Sequence, residues 1–357
     1  MKTRCQTLTM LLLTAGLASA ASAQAPGDLV FTNEYDDSVY HLPVGGSANL
    51  LFASPGSRLA GITRNGDTWY FADGPFPVQD PSDSRILQAT NLFSGAPIVS
   101  TFASSGSIQN PIGITYHAAS NNIIGVMNPA RAAPFYEGLL GINATTTVQT
   151  PLFQEPDPGS TPSPRYNAGA YIAQDFNRTN RFLVTNANGG IDAPNPAEDN
   201  FVASTLHAFT IGADLSTTHD FIYDFSSSNT GLPNTLFEVR GVAVVGNDVF
   251  VSDILRGEIY RLTLDGSGAV SGISLLAGGF DEPESLIYNP FTNKLIVDEV
   301  GGLNPLDSRI SQINLDGTGY EVLATGFHAR GFEIVPAPGT LALLGLGGLF
   351  AARRRRD

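Results

Sequence analysis

Glu238 to Phe280 reads EVRGVAVVGNDVFVSDILRGEIYRLTLDGSGAVSGISLLAGGF, and its punctuation decides the fold. Four short apolar runs, GVAVV, DVFVS, EIYRLTL and ISLLA, are separated by Gly246-Asn247, Arg256-Gly257 and Asp265-Gly266-Ser267-Gly268. β-Branched and aromatic residues bounded by Gly, Asn and Asp read as strands. Asn and Asp tolerate turn dihedrals and Gly has no Cβ to clash, so each break has a mechanism. Four antiparallel strands in roughly forty residues make one blade of a β-propeller.

The same phrasing recurs on both sides. RLAGITRNGDTWYFADG, SRILQA and APIVSTFA fill Arg58 to Ser104. NPIGITYHAASNNIIGVMN, GLLGIN and VQTPLF fill Asn110 to Phe153, and comparable runs fill Tyr166 to Phe225 and Asp281 to Phe327. The stretch GDLVFTNEYDDSVYHLPVGGSANLLFAS lacks a first strand and begins with what matches a second one, Asp28 to Thr32. HARGFEIV, His328 to Val335, has the form of the missing strand. The sequence therefore predicts an all-β, six-bladed β-propeller closed by a C-terminal strand that completes blade one. Closure removes exposed sheet edges. Gly61, Gly113, Gly169, Gly241 and Gly331 recur early in the first strands, with Ser285 in blade six. Small residues there let inner strands crowd at the axis.

The chain has 357 residues, 42% hydrophobic, with 38 Gly and 23 Pro, which suits many turns over one large core. Basic residues concentrate at the ends, at Lys2, Arg4 and Arg353 to Arg356, so the body carries a net charge of about −19. Such a surface repels nucleic acid and anionic membranes. The one cysteine, Cys5, precedes an apolar leader core, so the processed chain has no thiol nucleophile and no Cys-ligated metal.

Residues 1–23 have a basic start, a largely apolar run from Leu8 to Leu17, and small-residue cleavage sites at Ala18-Ser19-Ala20 and Ala21-Ser22-Ala23. This is the pattern of a secretory signal peptide, an N-terminal signal helix. The propeller then spans 24–334. Residues 335–357 read VPAPGTLALLGLGGLFAARRRRD: a Pro-Gly break, an apolar helix and four arginines. The apolar run is short for a membrane span of about 17–25 residues, and the arginines favour a cytoplasmic end. This three-part layout resembles the PEP-CTERM sorting tail of exosortase systems, with Ala337 where that family usually has Glu between its prolines. The resemblance implies an exosortase-like processing enzyme as partner, a transient inner-membrane anchor through the terminal segment only, and release to the cell envelope or medium.

Aligned second strands end in Asn33, Asp73, Asn128, Asn186, Asp253 and Glu299. Six oxygen-bearing side chains on one face could hold Ca²⁺ or another divalent cation; they could equally cap strand-to-loop turns. Arg58, Asn110, Arg240, Glu284 and Arg330, at or just before the starts of first strands, share that face with His328. Arg58, Arg240, Glu284 and Arg330 form a candidate pocket for a glycan or another polyhydroxylated or anionic ligand, Arg serving as anion clamp. Pro-rich inserts at Asp73 to Asp83 and Asn186 to Asn200 leave second strands toward the same face, whereas Glu155 to Pro164 leaves a fourth strand.

Phrases such as NPIGITY and NDVFVSDILRGEIYRL resemble NHL-repeat and gluconolactonase-type propellers. That resemblance implies a Glu, an Asn and an Asp around a divalent metal, for which Glu284, Asn186 and Asp253 are the matching types. LDGSG and LDGTG, at Leu264 and Leu315, read as plain turns. No G-x-S-x-G elbow, H-E-x-x-H, Walker loop or dinucleotide fingerprint occurs. The favoured reading is an exported, non-enzymatic binding protein for a glycan or envelope protein. The alternative is a divalent-metal-dependent lactonase or related hydrolase.

Overall fold

The computed structural model describes residues 24–74, 84–104, 107–127, 138–154, 169–187, 204–232, 235–236, 238–302 and 306–337. The expected signal helix, the apolar helix after residue 337, Asn128 and most of the three inserts lie outside them. Among the described residues no helix is long and apolar enough to cross a membrane.

The described strands, numbered β1 to β24 in chain order, form six four-stranded antiparallel sheets. The opening stretch folds as expected, into β16 (Val239–Val245), β17 (Asp248–Asp253), β18 (Glu258–Leu264) and β19 (Val270–Gly278). Blade one has the order β24 (Ala329–Ile334), β1 (Leu29–Asn33), β2 (Ser38–Leu42), β3 (Asn49–Ala53). The last strand, β24, lies antiparallel to the first, β1, with Leu29 opposite Ile334 and Phe31 opposite Phe332. The closure read from HARGFEIV is therefore the closure observed.

Inner strands β4 (Leu59–Asn65), β8 (Pro111–His117), β12 (Gly169–Asp175), β16, β20 (Pro283–Asn289) and β24 contact one another in an unbroken ring. Six apolar clusters fill the six spaces between blades. Successive side chains of a strand point to opposite faces, so each second strand feeds two clusters. Ile123 packs toward blade two and Ile124 toward blade four. Both faces are covered, which is why DVFVSD is nearly continuous in its apolarity. The closing seam has a core of its own, where Leu29, Phe31 and Phe332 meet Ile296 and Ile310.

Each inner strand bulges against its second strand at a corresponding place. A Cβ on Gly61 would lie 2.3 Å from the Ile112 carbonyl oxygen, and one on Gly331 2.2 Å from that of Ala60. Backbones touch there, so glycine is required. The expected glycine register fails in blade four: Gly169 pairs with Asn186, two residues before the close approach, and Tyr171 takes the glycine position.

Candidate functional site

The bulges set the chemistry of the axis. The residue just before each close-approach position is Ala60, Ile112 and Ala170 in blades two to four, but Arg240, Glu284 and Arg330 in blades five, six and one. Polar groups thus gather on one side of the axis, where the inner strands begin. Glu284 is their centre. One of its oxygens accepts from Arg240 at 2.7 Å and Arg330 at 3.2 Å, and the other meets His328 Nε2 at 2.8 Å. Arg240 also donates to Glu238, at 2.6 and 2.9 Å. Arg330 pairs with Glu34, which also pairs with Arg58. All four residues proposed from sequence as a pocket are therefore joined in one network, Arg58 through Glu34.

Asp298 completes the group, a residue the sequence reading did not single out beside Glu299. Alternation sends the two side chains to opposite faces. Asp298 Oδ1 accepts the Ala329 N–H at 2.7 Å, while Oδ2 lies 3.7 Å from His328 Nε2 without a hydrogen-bond partner among the described residues. The signal was available in the second strands: Thr32, Thr185 and Ser252 occupy the same register. Their hydroxyls donate to the Ala60, Arg240 and Glu284 carbonyls of the next blade. Asp298 makes the corresponding inter-blade link as an acceptor.

The environment splits the carboxyls. Burial alone would raise Glu284, but Arg330, Arg240 and His328 pull it well below the usual carboxylate range. Burial pushes Asp298 up to about 8, against the pull of His328 and the Ala329 N–H. Burial opposes the charged form of His328, yet Asp298 and Glu284 more than offset it and its pKa is raised.

The described members of the acidic-amide ring are each engaged within their own blade. Asn33, Asp73 and Glu299 accept the N–H of His328, Arg58 and Asp281, each just ahead of its own blade's inner strand. Asp73 also takes Arg85, Glu299 takes Arg309 and Tyr320, and Asn186 donates to Thr205. Asp253 accepts the N–H groups of Leu255 and Arg256, and burial raises it to about 6. Strand pairing puts Met127, not Asn128, at the register of Asp73. Among the described residues, the group able to offer three ligand atoms is Glu284, Asp298 and His328, whose atoms lie within 4.8 Å of one another. Asp253, an expected companion of Glu284 on a metal, is outside it. The LDGSG and LDGTG aspartates hold their own turns.

These features can be set beside known proteins. Residues 335–356 match the PEP-CTERM protein-sorting motif. The chain is a six-bladed propeller carrying that motif, which implies export and membrane-associated sorting by an exosortase-like system. No curated protein matches the chain significantly. Solved structures share the fold at low identity. A chain of the nidogen/laminin complex aligns with a TM-score of 0.62 and 13% identity, covering 87% of this chain and 99% of its own. The gluconolactonase XC5397 from Xanthomonas campestris gives 0.56 and 13%, covering 89% and 96%. The PQQ-bound aldose sugar dehydrogenase from Streptomyces coelicolor gives 0.52 and 15%, covering 80% and 90%.

Proposed function

We propose that residues 24–334 are a non-catalytic binding module, delivered by the leader at 1–23 and held transiently at the inner membrane by 335–357. Processing then releases it to the envelope or medium, where it engages a glycan or an envelope protein. The observation that carries this reading is that both oxygens of Glu284 are already engaged, by Arg240, Arg330 and His328. Arg240 and Arg330 neutralise the carboxylate a metal would need, and buried ion pairs of this kind fix geometry rather than drive chemistry. Arg240 and Arg330 are each paired with two carboxylates, so the network acts as a polar plug for the closed ring.

A second reading, a divalent-metal hydrolase, is favoured by the buried cluster of Glu284, Asp298 and His328. A cation there would sit against two guanidinium groups and would have to displace them. The experiment is a lactone-hydrolysis assay on the purified propeller with Ca²⁺ or Zn²⁺ added. No turnover above buffer is expected. Metal-dependent turnover abolished by Asp298→Asn would establish the hydrolase instead.

A further inference from the structure

The axis holds a second compartment. Where the inner strands end, all six enclose a cavity of about 740 Å³. The strands start at the Glu284 network, so this cavity opens on the opposite face, past the turns that carry Phe176 and Pro290. Its size falls in the range of about 300–1,000 Å³ typical of small-molecule sites. Ile62, Ile114, Ile172, Leu286 and Phe332 line it together with the Arg64–Glu333 ion pair, and Phe176, 80% exposed, stands at its mouth.

The floor is polar. Tyr171 and Arg330 both line the cavity and border the network. Tyr171 takes the position held by glycine in blades one, two, three and five, and its phenol feels the charges of Glu284 and Arg330. Its hydroxyl is buried and has no hydrogen-bond partner among the described residues. A buried O–H without an acceptor is costly. Arg330 has five donors, of which Glu34 and Glu284 engage two.

We infer that this cavity binds a small amphipathic carboxylate, its apolar body against the isoleucine and phenylalanine wall and its carboxylate accepting from Tyr171 and Arg330. The donors at the floor ask for an acceptor, and the guanidinium favours a negative one. Ile334 also lines the cavity, and the sorting motif follows it directly, so the tail starts from the same face. Held by that tail, the chain presents this face toward the membrane, where amphipathic acids concentrate. The inference rests on the binding-module reading and adds to it a small-molecule ligand on the face opposite the Glu284 network.

The test uses residues 24–337, which contain all six sheets and the closing strand. Octanoate and glucose are titrated in parallel by calorimetry. One saturable octanoate site is expected, with no glucose binding. Ala173→Trp, placed in the cavity wall, should weaken octanoate at least about 10-fold by filling the space. Tyr171→Phe should weaken it about 5-fold through loss of one hydrogen bond, and Arg261→Ala, on an exposed outer pair, should leave it unchanged. Absence of a saturable octanoate site overturns the inference, as does saturable glucose binding in its place. So does wild-type octanoate affinity in both Ala173→Trp and Tyr171→Phe; if the tryptophan variant does not fold, the phenylalanine variant decides alone. Lactone turnover would instead remove the binding-module reading, so the two failures are distinguishable.

Discussion

At the end of the axis where the inner strands begin, Glu284 is gripped by Arg240, Arg330 and His328. At the end where they finish, the same six strands enclose a cavity lined by isoleucines, Phe332 and the Arg64–Glu333 ion pair. One backbone pattern produces both. The bulge turns arginine and glutamate inward in three blades at the first end, and the glycine ring draws the backbones together between the ends. Past the glycines, the strands diverge and leave room. The lesson is that the density of charged residues marks the end that is filled, and the sparser end is the one with space.

The comparison can be broken most forcefully at its centre. Glu284→Ala leaves two buried guanidinium groups and His328 without their shared partner, and should cost about 3–5 kcal/mol, read by chemical unfolding. A loss under about 1 kcal/mol would mean that the network is not structural. Ala173→Trp at the other end should unfold near the wild-type midpoint while losing the ligand.

A smaller effect should appear with pH. Asp298 in the unfolded chain releases its proton near 4, whereas in the fold it holds it to about 8. Between those values the unfolded state binds fewer protons, so stability falls as pH rises. His328, with its raised pKa, acts in the same direction: the stability it contributes is complete below its unfolded value and lost as pH rises through the folded one. Asp298→Asn keeps an acceptor for Ala329 and should flatten the decline, measured by thermal melts from pH 5 to 9. An unchanged slope would place the titration elsewhere.

Ser252→Ala should cost about 1 kcal/mol, since its hydroxyl accepts from Gly241 and donates to the Glu284 carbonyl of the next blade. Tyr171→Phe should be the mildest change, neutral or stabilising by under about 1 kcal/mol, because the hydroxyl it removes is buried without a partner. Destabilisation beyond that would tie the phenol into the network and weaken the division of the axis.

Much of the fold was legible because it repeats. Turn chemistry and apolar runs recur in each blade, and Gly331 in HARGFEIV carried the closing strand's identity. The site was legible only in part. Arg240, Glu284 and Arg330 could be grouped because first strands share one direction, but the partner of each residue could not be read. Asn33, Asp73 and Glu299 lie on one face, yet each bonds a backbone N–H of its own blade, a choice of rotamer and distance that residue type does not encode. The close approach in blade four was expected at Gly169 because NAGAYI offers a glycine two residues before Tyr171. The cavity leaves still less trace, since apolar residues bordering a space and apolar residues packed in a core have the same pattern.

The most direct measurement of the central claim, that the Glu284 end is a self-satisfied plug, is calorimetric titration of residues 24–337 with Ca²⁺ and with Zn²⁺, each repeated on Asp298→Asn. The account expects no stoichiometric site for either ion that depends on Asp298. One-to-one binding of either ion to the wild type, lost in the variant, would contradict it.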